Sequence, residues 1–182
     1  MSARPLIAIA GAVTLAACSA QDEGEQPVAA KSQSANGTVA ATVAASGDHR
    51  DLAMALTDTQ LAPVLDGKGV YTLLAPSDAA FAKLGSKGEA LGEKENRPLM
   101  IAILRAHVLP GQVTPEAIDK AIEREKGPVE MRTMAGGTVR FSKTERGIAV
   151  SNGSATASLM GASQIGSNGA VLPIDGVLLP SR

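Results

Sequence analysis

Apolar residues in the first half of the main body recur at helical spacing between clear start and stop signals. Asp51 can cap a helix whose leucines and valines lie on related faces, and Gly67 marks the end of that segment. A second apolar stripe follows Pro98, which a first helical turn tolerates, and Pro110-Gly111 closes it. Thr114-Pro115-Glu116 then combines an N-cap, a proline at the first position and an acidic side chain favoured by the helix dipole.

The second half changes to a period of two, which is typical of β-strands. Apolar residues alternate with polar ones from Val129, a Gly136-Gly137 turn follows, and Asn152-Gly153 marks a further turn. One earlier segment, residues 70–74, is apolar on both faces, as a strand inside a sheet should be. Helices first and antiparallel strands later indicate an α+β fold.

Charge and aromatic content narrow the classes of partner. The 182 residues include 17 basic and 18 acidic side chains, so the net charge is −1 and nothing indicates nucleic acid as a partner. The aromatic residues are limited to Tyr71, Phe81 and Phe141, which leaves few stacking platforms for bases or sugars. Aliphatic side chains must therefore build the core of what the length suggests is one domain with appendages.

The N-terminus has the features of an export signal. Arg4 supplies a positive charge, residues 5–14 are uncharged and apolar, and Leu15-Ala16-Ala17-Cys18 follows. This ending resembles the bacterial lipobox, which implies a lipoprotein signal peptide over residues 1–17 and acylation of Cys18 by palmitate and related chains. Two or three chains make a stable membrane anchor, so the lipid bilayer is the first expected partner. An ordinary signal peptide with an incidental cysteine is the alternative.

The position and surroundings of Cys18 predict where the protein works. Cys18 is the single cysteine, so the exported chain has no intramolecular disulfide. Ser19 in the next position resembles lipoproteins that are sorted onward, which implies the outer membrane of the cell envelope if the organism has one. Residues 18–37 are polar and lack apolar periodicity, so they are predicted to form a disordered tether. The domain itself is predicted over residues 38–182.

Two segments about ninety residues apart combine a strand with a sharp change of direction. In the first signature segment, residues 71–84, Ser77 can cap a helix that Asp78 opens, and Phe81 points back into the core. In the second signature segment, residues 168–180, Asn168-Gly169 is a hairpin turn and a strand follows that is interrupted at Asp175. Each of these residues has a structural role in its own segment. The candidate binding or structural motif consists of Ser77, Asp78, Phe81, His107, Asn168 and Asp175.

Both signature segments closely resemble those of the fasciclin domain family. A third similarity is residues 104–111, where His107 precedes a Pro-Gly turn. The resemblance implies a wedge-shaped β-sandwich of about seven strands with flanking helices, acting in adhesion or protein binding. Ala106 stands where the family commonly has tyrosine, and Leu172 and Pro173 replace a usual His-Val pair. Because proline donates no hydrogen bond, Pro173 requires an edge or bulge position.

The chain offers little catalytic chemistry. His107 ends an apolar helix and is predicted to be buried and structural, whereas His49 is placed in a hydrated loop and helix cap. Two distant histidines without an available thiol disfavour a zinc or copper site, and no nucleophile, phosphate-loop or dinucleotide motif occurs. A helix cap and a turn account for Asp78 and Asp175. No catalytic residue, metal or cofactor is therefore expected.

Three functions remain open at this point. The first is a lipid-anchored, non-enzymatic adhesion or protein-binding module whose protein or matrix partner is unidentified. The second is a carrier of an apolar small molecule, held in a cleft between the helices and the sandwich. The third is a hydrolase with an unrecognised set of residues. The sequence does not define the oligomeric state.

Overall fold

The computed structural model describes residues 32–179, which form two sheets and a group of short helices. The helices are α1 (Val39–Ala45), α2 (Arg50–Asp58), α3 (Ala62–Leu65), α4 (Asp78–Ala82), α5 (Ser86–Leu91), α6 (Arg97–Ala106) and α7 (Pro115–Glu125), with a 3-10 turn over Lys94–Asn96. The strands are β1 (Ser32–Ser34), β2 (Tyr71–Pro76), β3 (Val108–Pro110), β4 (Val129–Arg132), β5 (Thr138–Thr144), β6 (Gly147–Ser151), β7 (Thr156–Ser158), β8 (Ser163–Gly166) and β9 (Gly169–Ile174).

The two signature segments lie side by side in the larger sheet. Its strand order is β1-β8-β9-β2-β3, and the smaller sheet is the antiparallel ladder β4-β5-β6-β7. Strands β2 and β9 are parallel over six residue pairs, from Tyr71 opposite Gly169 to Pro76 opposite Ile174. The hairpin predicted at Asn168-Gly169 joins β8 to β9. The most distinctive stretches of the sequence therefore form the centre of the fold.

The observed architecture confirms the α+β prediction and refines its details. The described residues contain nine strands, rather than about seven, because short strands such as β1 and β7 extend both sheets. Strand β1 lies inside the tether predicted over residues 18–37 and pairs in parallel with β8. Ser32 also donates its hydroxyl to the Glu116 carboxylate at 2.8 Å. A strand of the larger sheet thus precedes residue 38, the first residue of the predicted domain.

Strand β2 is buried on both faces because it separates two apolar cores. Leu73 lies in a core that the helices cover, whereas its neighbour Leu74 lies in a core enclosed between the two sheets. Both side chains are completely buried, as the apolar pattern of residues 70–74 predicts. Phe141 fills the inter-sheet core from the opposite sheet. Burying such a side chain contributes about 2 kcal/mol, so β2 is a principal source of stability.

Helix starts follow the sequence signals, with one exception. Ser77 and Thr114 each accept a hydrogen bond at 3.2 Å from the backbone N–H three residues later, as predicted for N-caps. The prediction that Asp51 caps its helix is wrong, because α2 begins at Arg50 and places Asp51 in the first turn. The Asp51 N–H instead donates to the Asp78 carboxylate at 3.0 Å. A signature residue of α4 therefore caps α2.

Pro173 occupies the kind of position that its missing donor requires. The β8–β9 ladder ends at the pair Gln164–Val171, so Pro173 lies beyond the last paired residue of β8. Its carbonyl accepts a hydrogen bond from Met160 N–H at 2.8 Å. Strand β9 is an interior strand in which Pro173 pairs with Ala75 of β2, so the predicted edge or bulge position is found only locally, on the side beyond the end of β8.

Membrane attachment was predicted at the N-terminus, outside the described residues. The signal peptide over residues 1–17, the acylated Cys18 and the tether as far as residue 31 all lie there. Within residues 32–179, none of the helices is long and apolar enough to cross a bilayer.

Candidate functional site

A cleft of about 1020 Å³ lies among the helices. Helix α2 forms one wall along nearly its whole length, and the chain from α4 to the start of α6 forms the other. Its lining contains no strand residue. This cleft thus lies between helices, whereas the hypothesis of a small-molecule carrier places its cleft between the helices and the sandwich.

Apolar side chains line the cleft at different depths. Met54, Phe81, Leu91 and Met100 all contribute to the lining. Met54 is 59% exposed, although the deeper Met100 is buried at 8%. Methionine is flexible and polarisable, and it is frequent on surfaces that adapt to a partner. Among the signature residues, Phe81 is the one that reaches this lining.

The rim of the cleft is predominantly acidic. Four carboxylates and two cations line it; they are Asp51, Asp58, Glu89, Glu93, Lys94 and Arg97. The guanidinium of Arg97 donates to the carbonyl oxygen of Asp58, across the end of the cleft. Because that carbonyl belongs to the last turn of α2, the cation lies at the negative end of the helix dipole. The contact joins α6 to α2 and fixes the width of the cleft at this end.

Signature residues at the other end position the two walls. The Asp78 carboxylate accepts from Asp51 N–H at 3.0 Å, and Asp78 N–H donates to the Asp48 carbonyl at 2.8 Å. These bonds tie the start of α4 to the start of α2. Asp78 therefore fixes α4 against α2 at this end of the cleft without lining the cleft itself.

His107 is a structural residue in the core, as the sequence predicts. Its side chain is 1% exposed, Nδ1 donates to the Ile103 carbonyl at 2.8 Å, and Nε2 accepts from Leu178 N–H at 3.0 Å. Burial lowers the pKa of His107 to about 4, with the Ile103 carbonyl acting in the opposite direction. The imidazole is therefore neutral near pH 7 and is inaccessible to a partner.

Asn168 and Asp175 also have structural roles. The Asn168 side chain accepts from Val39 N–H at 2.8 Å and donates to the Leu65 carbonyl at 2.6 Å, which connects α1, α3 and the β8–β9 hairpin. The Asp175 carboxylate accepts from Ser158 N–H at 2.6 Å and so links the end of β9 to the smaller sheet. Neither residue lines the cleft. The structure thus does not gather the six candidate residues into one site.

His49 is not in a hydrated loop, contrary to the sequence prediction. Its side chain is 7% exposed, and Nδ1 lies 2.7 Å from the Ser46 hydroxyl. The same hydroxyl is 3.4 Å from Asp48 N–H, which is the pattern of a serine-based turn before a helix. Burial lowers the pKa of His49, although the carboxylates of Asp48 and Asp78 oppose the shift. Position 49 is the N-cap of α2, so the helix-cap part of the prediction is correct.

Sequence reasoning missed most residues of the cleft. Met54, Leu91 and Arg97 lie on three different helices, and no local pattern relates them. A partial signal was present, because Met54 is an apolar residue outside the buried stripe of α2 formed by Leu52 and Leu56. In residues 32–179, no group of three or more acidic or histidine side chains is arranged to hold a metal ion.

Comparisons with known proteins give the family of the chain and a similar solved fold. The model of the Fasciclin domain matches residues 47–180. Protein sll1483 of Synechocystis sp. is 29% identical over 144 residues, covering 79% of this chain and 73% of that protein. A solved FAS1 domain pair from the insect cell adhesion molecule Fasciclin I superposes with a TM-score of 0.70 at 16% identity over 79% of this chain. The aligned part corresponds to 51% of the insect chain, about half of its length.

Proposed function

Because this chain belongs to the fasciclin domain family, we propose that it is a non-enzymatic module that binds a protein or matrix partner in cell adhesion. The observation that carries the proposal is the cleft between α2 and the α4–α6 segment, where Met54 is exposed beside partly buried and buried apolar side chains. A side chain such as Met54, exposed beside other apolar groups, is typical of an interaction site. The signature residues other than Phe81 support the scaffold instead.

The relatives favour adhesion as the setting. The similar insect structure comes from a protein described as a cell adhesion molecule, although only its fold is shared at this level of identity. A fold shared with an adhesion protein does not identify a contact surface. We infer that the cleft supplies that surface, because Met54 and the charged rim are exposed while His107 is buried.

We propose further that acylated Cys18 anchors the module to a membrane of the cell envelope. The lipobox-like residues 15–18 support this, as does the short polar connection between Cys18 and β1. As a random coil, residues 18–31 would reach roughly 20 Å from the bilayer. The domain would then remain close to the membrane surface, within reach of partners in the same envelope layer.

Palmitate labelling tests the anchor. Wild-type protein expressed in its host is expected to incorporate labelled palmitate and to fractionate with membranes. Cys18→Ala should lose the label and move to the soluble or uncleaved fraction, because residue 18 supplies the acylated thiol. Met160→Gln, a distant exposed change, serves as the control. Label retained by Cys18→Ala would contradict the proposal.

A carrier of an apolar small molecule is the second candidate, because the volume of the cleft also supports it. A volume of about 1020 Å³ lies at the upper end of small-molecule pockets. Native mass spectrometry of the purified protein separates the two candidates. A co-purifying ligand that is lost in Met54→Gln would favour the carrier, and its absence would favour the protein-binding module.

Photocrosslinking in living cells tests the binding surface. A photoreactive amino acid at Thr57, an exposed position that lines the cleft, is expected to form a discrete covalent product with an envelope protein. The same amino acid at Glu145, in the exposed turn between β5 and β6, is the matched control. Equal products from both positions would place the partner elsewhere.

A further inference from the structure

We propose that the cleft binds an amphipathic helical segment of the partner in which basic side chains flank an apolar stripe. The inference rests on the proposed function and adds the chemistry of the partner. It is argued from the length of the cleft, its apolar lining and the charge of its rim.

The length of the cleft matches a helical segment. The lining extends from Asp51 in the first turn of α2 to Gln60 beyond its last turn. Nine helical residues rise about 13 Å, so a partner helix lying along α2 would make between two and three turns of contact. Met54 lines this space and is 59% exposed, so the cleft is open to solvent along α2. Such an open trough suits a helix better than an enclosed small molecule.

The apolar lining supplies positions for anchoring side chains. Met54 lies on α2, Phe81 on α4, Leu91 on α5 and Met100 on α6, so the lining faces the trough from both walls. A partner with apolar residues at positions i, i+3, i+4 and i+7 presents one stripe to such a surface. Met54, the exposed member, can adjust to the shape of that stripe without a change in the backbone, whereas Leu91 and Met100 are buried in the helix-covered core.

The charge of the rim selects the flanking residues of the partner. Four carboxylates and two cations give the cleft a formal charge of −2, whereas the whole chain has a net charge of −1. The guanidinium of Arg97 is already bound to the Asp58 carbonyl. Glu89 and Glu93 are exposed on the wall that faces α2, where they can attract lysine or arginine of the partner. Complementary charge of this kind mainly raises the association rate and excludes acidic partners.

Two designed peptides test the inference on the full-length lipoprotein in nanodiscs of phosphatidylcholine. Each is a 14-residue helix with leucine at the four stripe positions; one carries lysine on its flanks and the other carries glutamate. Surface plasmon resonance, with empty nanodiscs as the reference surface, should show micromolar binding of the lysine peptide to the protein. Binding of the glutamate peptide should be weaker by about tenfold or more.

Matched variants locate the peptide on the protein. Met54→Gln is expected to weaken binding of the lysine peptide about tenfold, whereas Met160→Gln, at a methionine of similar exposure outside the cleft, should not change it. The pair Glu89→Gln and Glu93→Gln should reduce both the affinity and its dependence on salt. The pair Glu125→Gln and Glu145→Gln, exposed elsewhere, controls for net charge.

Each outcome either supports or overturns the inference. Equal binding of both peptides, equal loss in the Met54 and Met160 variants, or no binding of either peptide would overturn it. If the Thr57 crosslink still forms in that case, the protein-binding function stands and only the partner chemistry is wrong. If the crosslink also fails, the proposed function fails with it.

Discussion

Gly169→Ala is expected to prevent the domain from accumulating in its folded form. Gly169 has a φ of +152°, and a Cβ added to it would lie 1.7 Å from the Tyr71 carbonyl oxygen. That oxygen is part of β2, the neighbouring parallel strand at the centre of the sheet, so it cannot move aside. Backbone strain and this clash together should cost more than about 4 kcal/mol.

Circular dichroism with chemical denaturation measures the effect of the Gly169 substitution. Gly47→Ala is the matched control, because a Cβ added at Gly47 meets nothing within 4 Å. Its unfolding free energy should stay within about 0.5 kcal/mol of wild type. A folded Gly169→Ala protein of normal stability would contradict the close parallel pairing of β2 and β9.

His107→Ala is the second substitution expected to have a large effect. It removes a buried ring and leaves the Leu178 N–H and the Ile103 carbonyl without their side-chain partner. The cavity and the unsatisfied amide together should lower the unfolding free energy by roughly 3 kcal/mol. Gln112→Ala, an exposed change five residues away, should have almost no effect. Thermal and denaturant unfolding measure the unfolding free energy of both variants and of the wild-type protein.

The same histidine should make the wild-type protein sensitive to acid. Burial depresses the pKa of His107 from 6.5 to about 4, so between these values the unfolded chain binds a proton that the folded chain does not. The unfolding free energy must then fall as the pH falls from about 6.5 to 4, by up to about 1.4 kcal/mol per pH unit. The contribution of His107 is about 3 kcal/mol, and it should be absent in His107→Ala, which keeps the contribution of His49, whose pKa burial also lowers. An identical pH dependence in both proteins would show that His107 titrates normally.

The fold was largely predictable because its determining residues act locally. Ser77 and Thr114 cap helices within their own segments, and the apolar residues of β2 are buried on both faces as their pattern requires. The pairing of β2 with β9 could not be read from periodicity, because it joins residues about a hundred positions apart. The resemblance to the fasciclin domain family predicted the overall fold, and the structure defines which residues of β2 and β9 pair.

The errors of prediction have physical causes. Asp51 has the right side chain for a cap, but the N–H groups at the start of α2 are reached by Asp78 from another helix. His49 was assigned to solvent because its neighbours are charged, yet packing of α2 against α4 buries it. The cleft was not predicted because it also depends on packing between distant segments. It lies where several short helices leave space between one another.

The central claim is that the cleft contacts the partner, whereas the signature residues other than Phe81 support the scaffold. Its most direct test is the yield of the Thr57 crosslink in living cells when Met54 and Met160 are separately changed to glutamine. Met54→Gln is expected to reduce the product about tenfold, and Met160→Gln should leave it unchanged. An undiminished product in Met54→Gln, or an equal loss in both variants, would contradict the claim.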